Sequence, residues 1–265
     1  MLSTSARLGG FGNAVSSLDA ARVLQVVAGL TSFTDSQRLA CDTTGDGSLS
    51  ALDAVRILQF SAGVINRLPV ATACGSDWIF SPAAAQVTNQ DVTLPLVGGG
   101  VCQQGAITLR SLSTAVGNQD FTGILFGDCT GNWSASGAAA LRQAANSSTV
   151  LAGSVRSGRG DLVRVPIYVR SAGTFQALDL RLRFDASAAE FVAARPRGDA
   201  AGALVTQRSA DGSVTISLAS AKPIDPSHGA MLMLEFRAPS AAALAPALGA
   251  ATVDEQPARP VTHHR

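Results

Sequence analysis

The chain has 265 residues, a formal net charge of +1 and a charged fraction of only 15%, with Gly, Ala, Ser and Val abundant. No basic field exists to draw nucleic acid or anionic lipid to its surface, and no apolar run reaches the eighteen or so residues that span a membrane. The length accommodates about two domains, and the composition suits an exported, non-catalytic module.

The opening stretch, residues 1–7 (MLSTSAR), holds no apolar core of a signal peptide. An exported protein would make this start internal to a longer one; a cytoplasmic location is the alternative. Residues 16–30 (SSLDAARVLQVVAGL) and 50–64 (SALDAVRILQFSAGV) are one segment written twice, offset by 34. Each reads as an amphipathic helix. In the second, Leu52, Val55, Leu58 and Ala62, with Ile57 beside them, recur three and four apart and form one stripe for burial, and Gly63 is a fitting stop. The capping pair Thr34 and Gln37 signals a short helix between the two.

The second copy follows a twelve-residue loop, Asp42 to Asp53. Oxygen side chains stand at its first, third, fifth and last positions (Asp42, Thr44, Asp46, Asp53), with Gly47 at the sixth and the Ser48 carbonyl available at the seventh. This is EF-hand-like spacing, in which alternate residues of a tight loop turn oxygens toward a calcium ion. It departs from the usual loop in Thr44 and in the short closing Asp53. The calcium ligands expected are therefore Asp42, Thr44, Asp46, Ser48 and Asp53.

A duplicated calcium loop and helix closed by Asp resembles a type I dockerin over roughly residues 8–68. The resemblance implies calcium-dependent folding and a protein partner, a cohesin. In the first copy the aligned ligand positions are Leu8, Gly10 and Gly12, none with a side-chain oxygen, so one calcium site is expected. The first half then serves by its helix alone or is completed by residues outside this sequence. Dockerins often carry a hydroxyl pair at loop positions ten and eleven; here these are Ser17-Leu18 and Ala51-Leu52, and packing against the rest of the chain is an equal use for that face.

Four cysteines, Cys41, Cys74, Cys102 and Cys129, lack the close pairs of a zinc site and read as disulfides of an oxidising compartment. Pairing Cys41 with Cys74 and Cys102 with Cys129 is preferred; four free thiols are the alternative. Pro69 reads as the end of the helical region. Short apolar segments at 77–80, 92–96, 106–109 and 121–126 then suggest a small, disulfide-linked β segment over 69–135. Near its end Asp128, Thr130 and Asn132 repeat the opening of a calcium loop, but position twelve falls on Ala139. That reads as a structural turn, although Asp128 remains available to a shared site. Residues 136–149 read as a linker.

From 150 to 256 the pattern is period two. Val163, Val165, Ile167 and Val169 alternate with polar residues, as do Leu178, Leu180, Leu182 and Phe184, then Val214, Ile216 and Leu218, then Leu232, Leu234 and Phe236. This is the mark of half-buried antiparallel strands, and two such sheets make a sandwich. Pro166 predicts an edge or a bulge. The ordered segments from Gly160-Asp161 through Ala177–Asp185, Glu190-Phe191, Thr215–Ala221 and Met233–Phe236 resemble a cohesin domain. That resemblance implies a nine-stranded jelly-roll sandwich acting as a dockerin receptor. The final strand is expected at 249–254, and 257–265 as a disordered tail.

Catalysis finds little support: the histidines are His228 and the pair His263 and His264, none placed as an oriented base. Asp179, Asp185 and Glu190 read as strand-surface and turn residues. The expectation is thus a multidomain, mainly β, non-enzymatic protein of extracellular or cell-surface type: a dockerin-like helical pair with one Ca2+ loop, a small β segment, and a cohesin-like jelly-roll β-sandwich. It would serve protein assembly in a cellulosome-like or polysaccharide-processing setting, its partner a cohesin or dockerin module within the chain or on another. A carbohydrate-binding module on the same sandwich, with a polysaccharide partner, and a purely structural secreted module are the alternatives. The single Tyr168 and the lack of Trp in 150–256 weigh against sugar stacking.

Overall fold

The computed structural model describes residues 14–112, 115–133, 148–158 and 160–262. Four helices come first: α1 Ser17–Val27, α2 Asp35–Cys41, α3 Ala51–Ser61 and α4 Pro69–Cys74. The first three open on capping boxes. Ser16 with Asp19, Thr34 with Gln37 and Ser50 with Asp53 each satisfy backbone donors that a helix start leaves free. Gly29 and Gly63 end the duplicated pair at φ +70° and +74°, the left-handed geometry that glycine adopts without strain. The buried face of α3 is Ala54, Ile57, Leu58 and Ser61, whereas Leu52, expected inside, is 47% exposed. The helix is rotated so that its small residues meet its neighbours. Pro69 starts α4 instead of ending the helical region, its missing N–H costing nothing at the first helical position.

Strands β1 Trp78–Ala84, β2 Gln90–Thr93, β3 Leu96–Gly98, β4 Val101–Gln103, β5 Ala106–Leu109 and β6 Gln119–Leu125 pair β1–β6, β2–β5 and β3–β4. The nested pairing makes one interrupted ribbon in place of the single small sheet expected. The disulfides are Cys41–Cys129 and Cys74–Cys102, which corrects the pairing preferred from sequence. The ribbon returns β6 beside α2, so Gly127 N–H donates to the Ala40 carbonyl at 2.7 Å and Cys129 arrives at Cys41. Cys102, on the β4 edge, meets the end of α4 instead.

The remaining strands are β7 Thr149–Ala152, β8 Arg156–Ser157, β9 Leu162–Arg170, β10 Phe175–Arg183, β11 Glu190–Pro196, β12 Leu204–Ala210, β13 Ser213–Ile224, β14 Leu232–Arg237, β15 Ala247–Val253 and β16 Gln256–Thr262. Their order is β11-β14-β9-β7-β16-β15-β10-β13-β12, with β8 also on β9. Two layers face each other across the alternating residues read from sequence. Val163, Val165, Ile167 and Val169 of β9, Leu178, Leu180 and Leu182 of β10, Val214, Ile216 and Leu218 of β13, and Leu234 and Phe236 of β14 are all fully or almost fully buried in one core. Pro166 lies in an interior strand, at the break between β7 and β8, where its missing donor removes no ladder bond from either. The tail expected to be disordered from 257 is strand through Thr262. β16 pairs antiparallel with β15 and parallel with β7, closing the seam between the layers. His263 and His264, and most of the 136–149 linker, lie outside the described residues.

Candidate functional site

Asp42 sits at the C-cap of α2. Its Oδ1 accepts from the Gly45 and Asp46 amides at 2.8 and 3.2 Å and from the Thr44 hydroxyl at 3.1 Å, and its Oδ2 from the Gly47 amide at 2.7 Å. Gly45 and Gly47, at φ +76° and +90°, allow the chain to wrap the carboxylate this tightly. Asp53 closes the loop from the first turn of α3. Its Oδ2 accepts from the Ser50 amide and hydroxyl, and its Oδ1 from the Thr44 amide and hydroxyl, both at 3.0 Å.

Asp42, Thr44 and Asp53 are thereby brought together, with both carboxylates buried. Burial raises the Asp42 carboxyl from its ordinary value, against the Gly47 and Gly45 hydrogen bonds, and the Asp53 charge adds to the rise. Asp46 and Ser48 are turned to each other on the outer side of the loop, where the Ser48 hydroxyl and amide hold the Asp46 carboxyl below its usual range. Oxygen donors alone, with two facing acids and no ion-pair partner among the described residues, fit a hard cation such as calcium.

The same arrangement recurs at the half-loop that opens on Asp128. Asp128 Oδ1 accepts from the Gly131 and Asn132 amides at 2.7 and 3.0 Å, and Oδ2 from the Trp133 amide at 3.1 Å. The closing carboxylate is Asp19 of α1. Its Oδ1 accepts from the Thr130 amide at 2.8 Å and its Oδ2 from the Ser16 amide at 2.8 Å. The first helix copy thus meets residues 128–133, more than a hundred positions away; the stretch around Leu8, Gly10 and Gly12 lies outside the described residues. Gly127, at φ +90°, makes this return possible: a Cβ there would stand 2.9 Å from Leu68 and 3.0 Å from Val15.

A third feature joins the helices to the sandwich. The outer faces of β10 and β13 carry small residues, Ala177, Ser217 and Ala219, all fully buried, and α1 and α3 lie across them. Asp179 stands in the middle, 2% exposed. Its Oδ2 accepts from the Ser17 hydroxyl at 2.8 Å and amide at 3.3 Å; its Oδ1 accepts from the Ser61 hydroxyl at 2.9 Å and the Ser217 hydroxyl at 2.6 Å. Sequence reasoning placed Asp179 on a strand surface, and missed that the surface is covered. Asp185 and Glu190, read the same way, are exposed turn and strand residues, Asp185 accepting from Ser187 and Glu190 paired with Arg237.

One acid–histidine group lies elsewhere on the sandwich. His228 Nδ1 is 3.0 Å from Asp199 and its Nε2 4.0 Å from Asp225, and the hydrogen bond to Asp199 raises its pKa from the ordinary histidine value. All three are at least partly open to solvent, and the group is an ion-pair cluster whenever His228 is protonated.

No family model matches this chain, and no curated protein matches it. Among solved structures it is similar to a non-cellulosomal cohesin of Archaeoglobus fulgidus, at 17% identity and TM-score 0.36, over 44% of this chain and 86% of that one. It is similar also to the sixth cohesin of Acetivibrio cellulolyticus scaffoldin B, solved with a dockerin, at 16% identity and TM-score 0.36, over 44% and 94%. A third is a type I cohesin–dockerin complex of Clostridium thermocellum, at 18% identity and TM-score 0.35, over 44% and 89%.

Proposed function

We propose that the chain is a non-catalytic protein-interaction module whose sandwich receives the duplicated helix pair of the same chain, with calcium in the Asp42 loop setting the shape of that pair. The observation that carries the reading is Asp179. A carboxylate removed from water needs several donors to offset its desolvation, and here two of the three side-chain donors come from the two helices being received. The sequence resemblance supplies the type of contact, a cohesin-like sandwich engaged by a dockerin-like repeat, made here within one chain. Ser17 is the loop-position-ten hydroxyl that the resemblance singles out. Two disulfides suit an extracellular or cell-surface setting.

In this reading Asp42, Thr44 and Asp53 hold the ion, with Asp46 reaching it by a side-chain rotation. Bound calcium supplies positive charge between two buried acids. The chain itself holds those acids in place through the Gly45, Gly47, Thr44 and Ser50 amides. Calorimetric titration of the intact chain with calcium tests this. The expected result is saturable binding in which Asp42→Ala with Asp46→Ala removes one site. Free calcium at a hundred times Kd should stabilise the parent by about 2.7 kcal/mol through that site, and the double variant should lose this. An intact chain that takes up no calcium contradicts the reading.

A further inference from the structure

The backbone of the Asp42 loop is gripped from two sides. On one side is α4: the Val70 amide donates to the Thr43 carbonyl at 3.0 Å, and Gly45 lies so close that a Cβ there would meet the Val70 Cγ2 at 3.4 Å. On the other is the tip of the β3–β4 hairpin, Gly98-Gly99-Gly100, all three at positive φ. A Cβ on Gly98 would stand 3.0 Å from the Gly47 Cα, and one on Gly47 3.3 Å from the Gly98 Cα, so the two backbones touch as glycines allow. The Gly99 amide donates to the Asp46 carbonyl in a long bond of 3.5 Å.

One covalent link joins these two jaws. Cys74 is the last residue of α4, and Cys102 lies on β4 opposite Val97, the neighbour of Gly98. The bridge therefore closes a ring around the backbone of residues 43–47. Without it the hairpin has little to hold it in place. Leu96 and Val101 are 54% and 50% exposed, and Val97 is the one buried residue of β3 and β4; a two-stranded hairpin is marginal on its own. A Cβ at Gly99 or Gly100 would meet nothing within 4 Å, so the tip has room to lift.

An independent observation is that the two bridges differ in access. Cys41 and Cys129 are fully buried, whereas Cys74 and Cys102 are both partly open to solvent. Thiol–disulfide exchange requires a thiolate to reach a disulfide sulfur, and access sets its rate. A small dithiol therefore reaches the 74–102 bridge in the folded protein, while the 41–129 bridge is shielded until the core around it opens.

We propose that α4 and the β3–β4 hairpin form a clamp on the calcium loop and that the Cys74–Cys102 bridge is its redox latch. The latch rests on the reading of the Asp42 loop as a calcium loop and gives that loop a control. Closed, the bridge keeps Asp46 and Gly47 where the chain wraps the Asp42 carboxylate. A small dithiol opens it: the two thiol hydrogens of the reductant pass to Cys74 and Cys102, which become free thiols, and its own two sulfurs join in a disulfide. The hairpin then lifts, the loop loses one of its two walls, and calcium is held more weakly. Such coupling is reciprocal, so bound calcium makes the bridge harder to reduce by the same factor.

The test uses the full chain. Calorimetric titration with calcium chloride compares the parent, Cys74→Ser with Cys102→Ser, and Gly98→Ala, which keeps the bridge but pushes the hairpin off Gly47. Both variants should bind calcium about tenfold more weakly. In a second arm the parent is equilibrated with graded dithiothreitol, alkylated and mapped by mass spectrometry, with and without calcium. Cys74 and Cys102 should be labelled well before Cys41 and Cys129. Saturating calcium should lower the midpoint potential of the 74–102 bridge by about 30 mV for a tenfold coupling. Equal calcium affinity in the parent and the bridge-free variant, or a 74–102 midpoint that calcium does not move, overturns the latch and leaves the loop standing. Labelling of all four cysteines at one dithiol concentration overturns it as well. No calcium binding in the parent overturns both latch and loop.

Discussion

Asp179→Ala should lower the stability of the intact chain by about 3 kcal/mol, with the loss concentrated at the seam between helices and sandwich. Four hydrogen bonds end on this carboxylate, from the Ser17 amide and hydroxyl, the Ser61 hydroxyl and the Ser217 hydroxyl. A bond to a charged group contributes about 1.5–3 kcal/mol, and each donor left buried without a partner adds a desolvation cost of about 1–3 kcal/mol. Against this, alanine no longer has to be stripped of water as a carboxylate is, which offsets a large part of the sum. The substitution leaves the inner core untouched, because Leu178 and Leu180 on either side of it point the opposite way. Denaturant unfolding measures the total. Hydrogen exchange locates it: α1 and α3 should lose protection while β9 and β14 keep theirs. A change below about 1 kcal/mol, with protection unaltered in α1, would mean that the helices are held on the sandwich by something else.

Removing the Cys41–Cys129 bridge as the pair Cys41→Ser with Cys129→Ser should cost more, about 4.5 kcal/mol on a chain-entropy account, because it closes a loop of 88 residues. The Cys74–Cys102 bridge closes only 28 and should cost about 1 kcal/mol less when removed in the same way. The wider bridge also fixes the turn that completes the first helix copy, since Cys129 follows Asp128 directly and Cys41 precedes Asp42. Its loss should therefore loosen the start of α1 as well as lower the midpoint. Guanidinium unfolding of the two double variants beside the parent gives the comparison, and a smaller loss for the 41–129 pair than for the 74–102 pair contradicts it.

Much of the fold is legible from residue pattern alone. The duplicated segment and the capping pair at Thr34 announce three helices, and the period-two runs of β9, β10, β13 and β14 give the sandwich core residue by residue. What pattern does not reveal is covering. Alternation assigns Asp179 to the outer face correctly, but whether an outer face meets water or a helix is decided by parts of the chain far away. Leu52 fails for a related reason: the helical stripe is wide enough to be rotated, and the helix turns its smaller residues inward so that it can lie close on β12 and β13. The site shows the same limit more sharply. The Asp42 loop is local and so can be read, whereas the partner of Asp19 arrives 111 residues later through Thr130. A signal was present all the same. Residues 42–46 (DTTGD) and 128–132 (DCTGN) share Asp, Thr and Gly in register and differ at the second position, Thr43 against Cys129, and by an amide for an acid at the last. Pairing the orphaned helix with the orphaned turn would have completed the repeat, and would also have given the Cys41–Cys129 bridge.

The central claim is that the helix pair is a ligand held by the sandwich within one chain. Both disulfides fall before residue 134, so a protease site placed between residues 136 and 147 divides the protein into two pieces with no covalent link. Gel filtration of the cut protein in calcium, at micromolar concentration, is the direct measurement. The account predicts that the pieces elute together, and that they separate when the cut protein carries Asp179→Ala. Pieces that part at once in the parent, with calcium present, would contradict it.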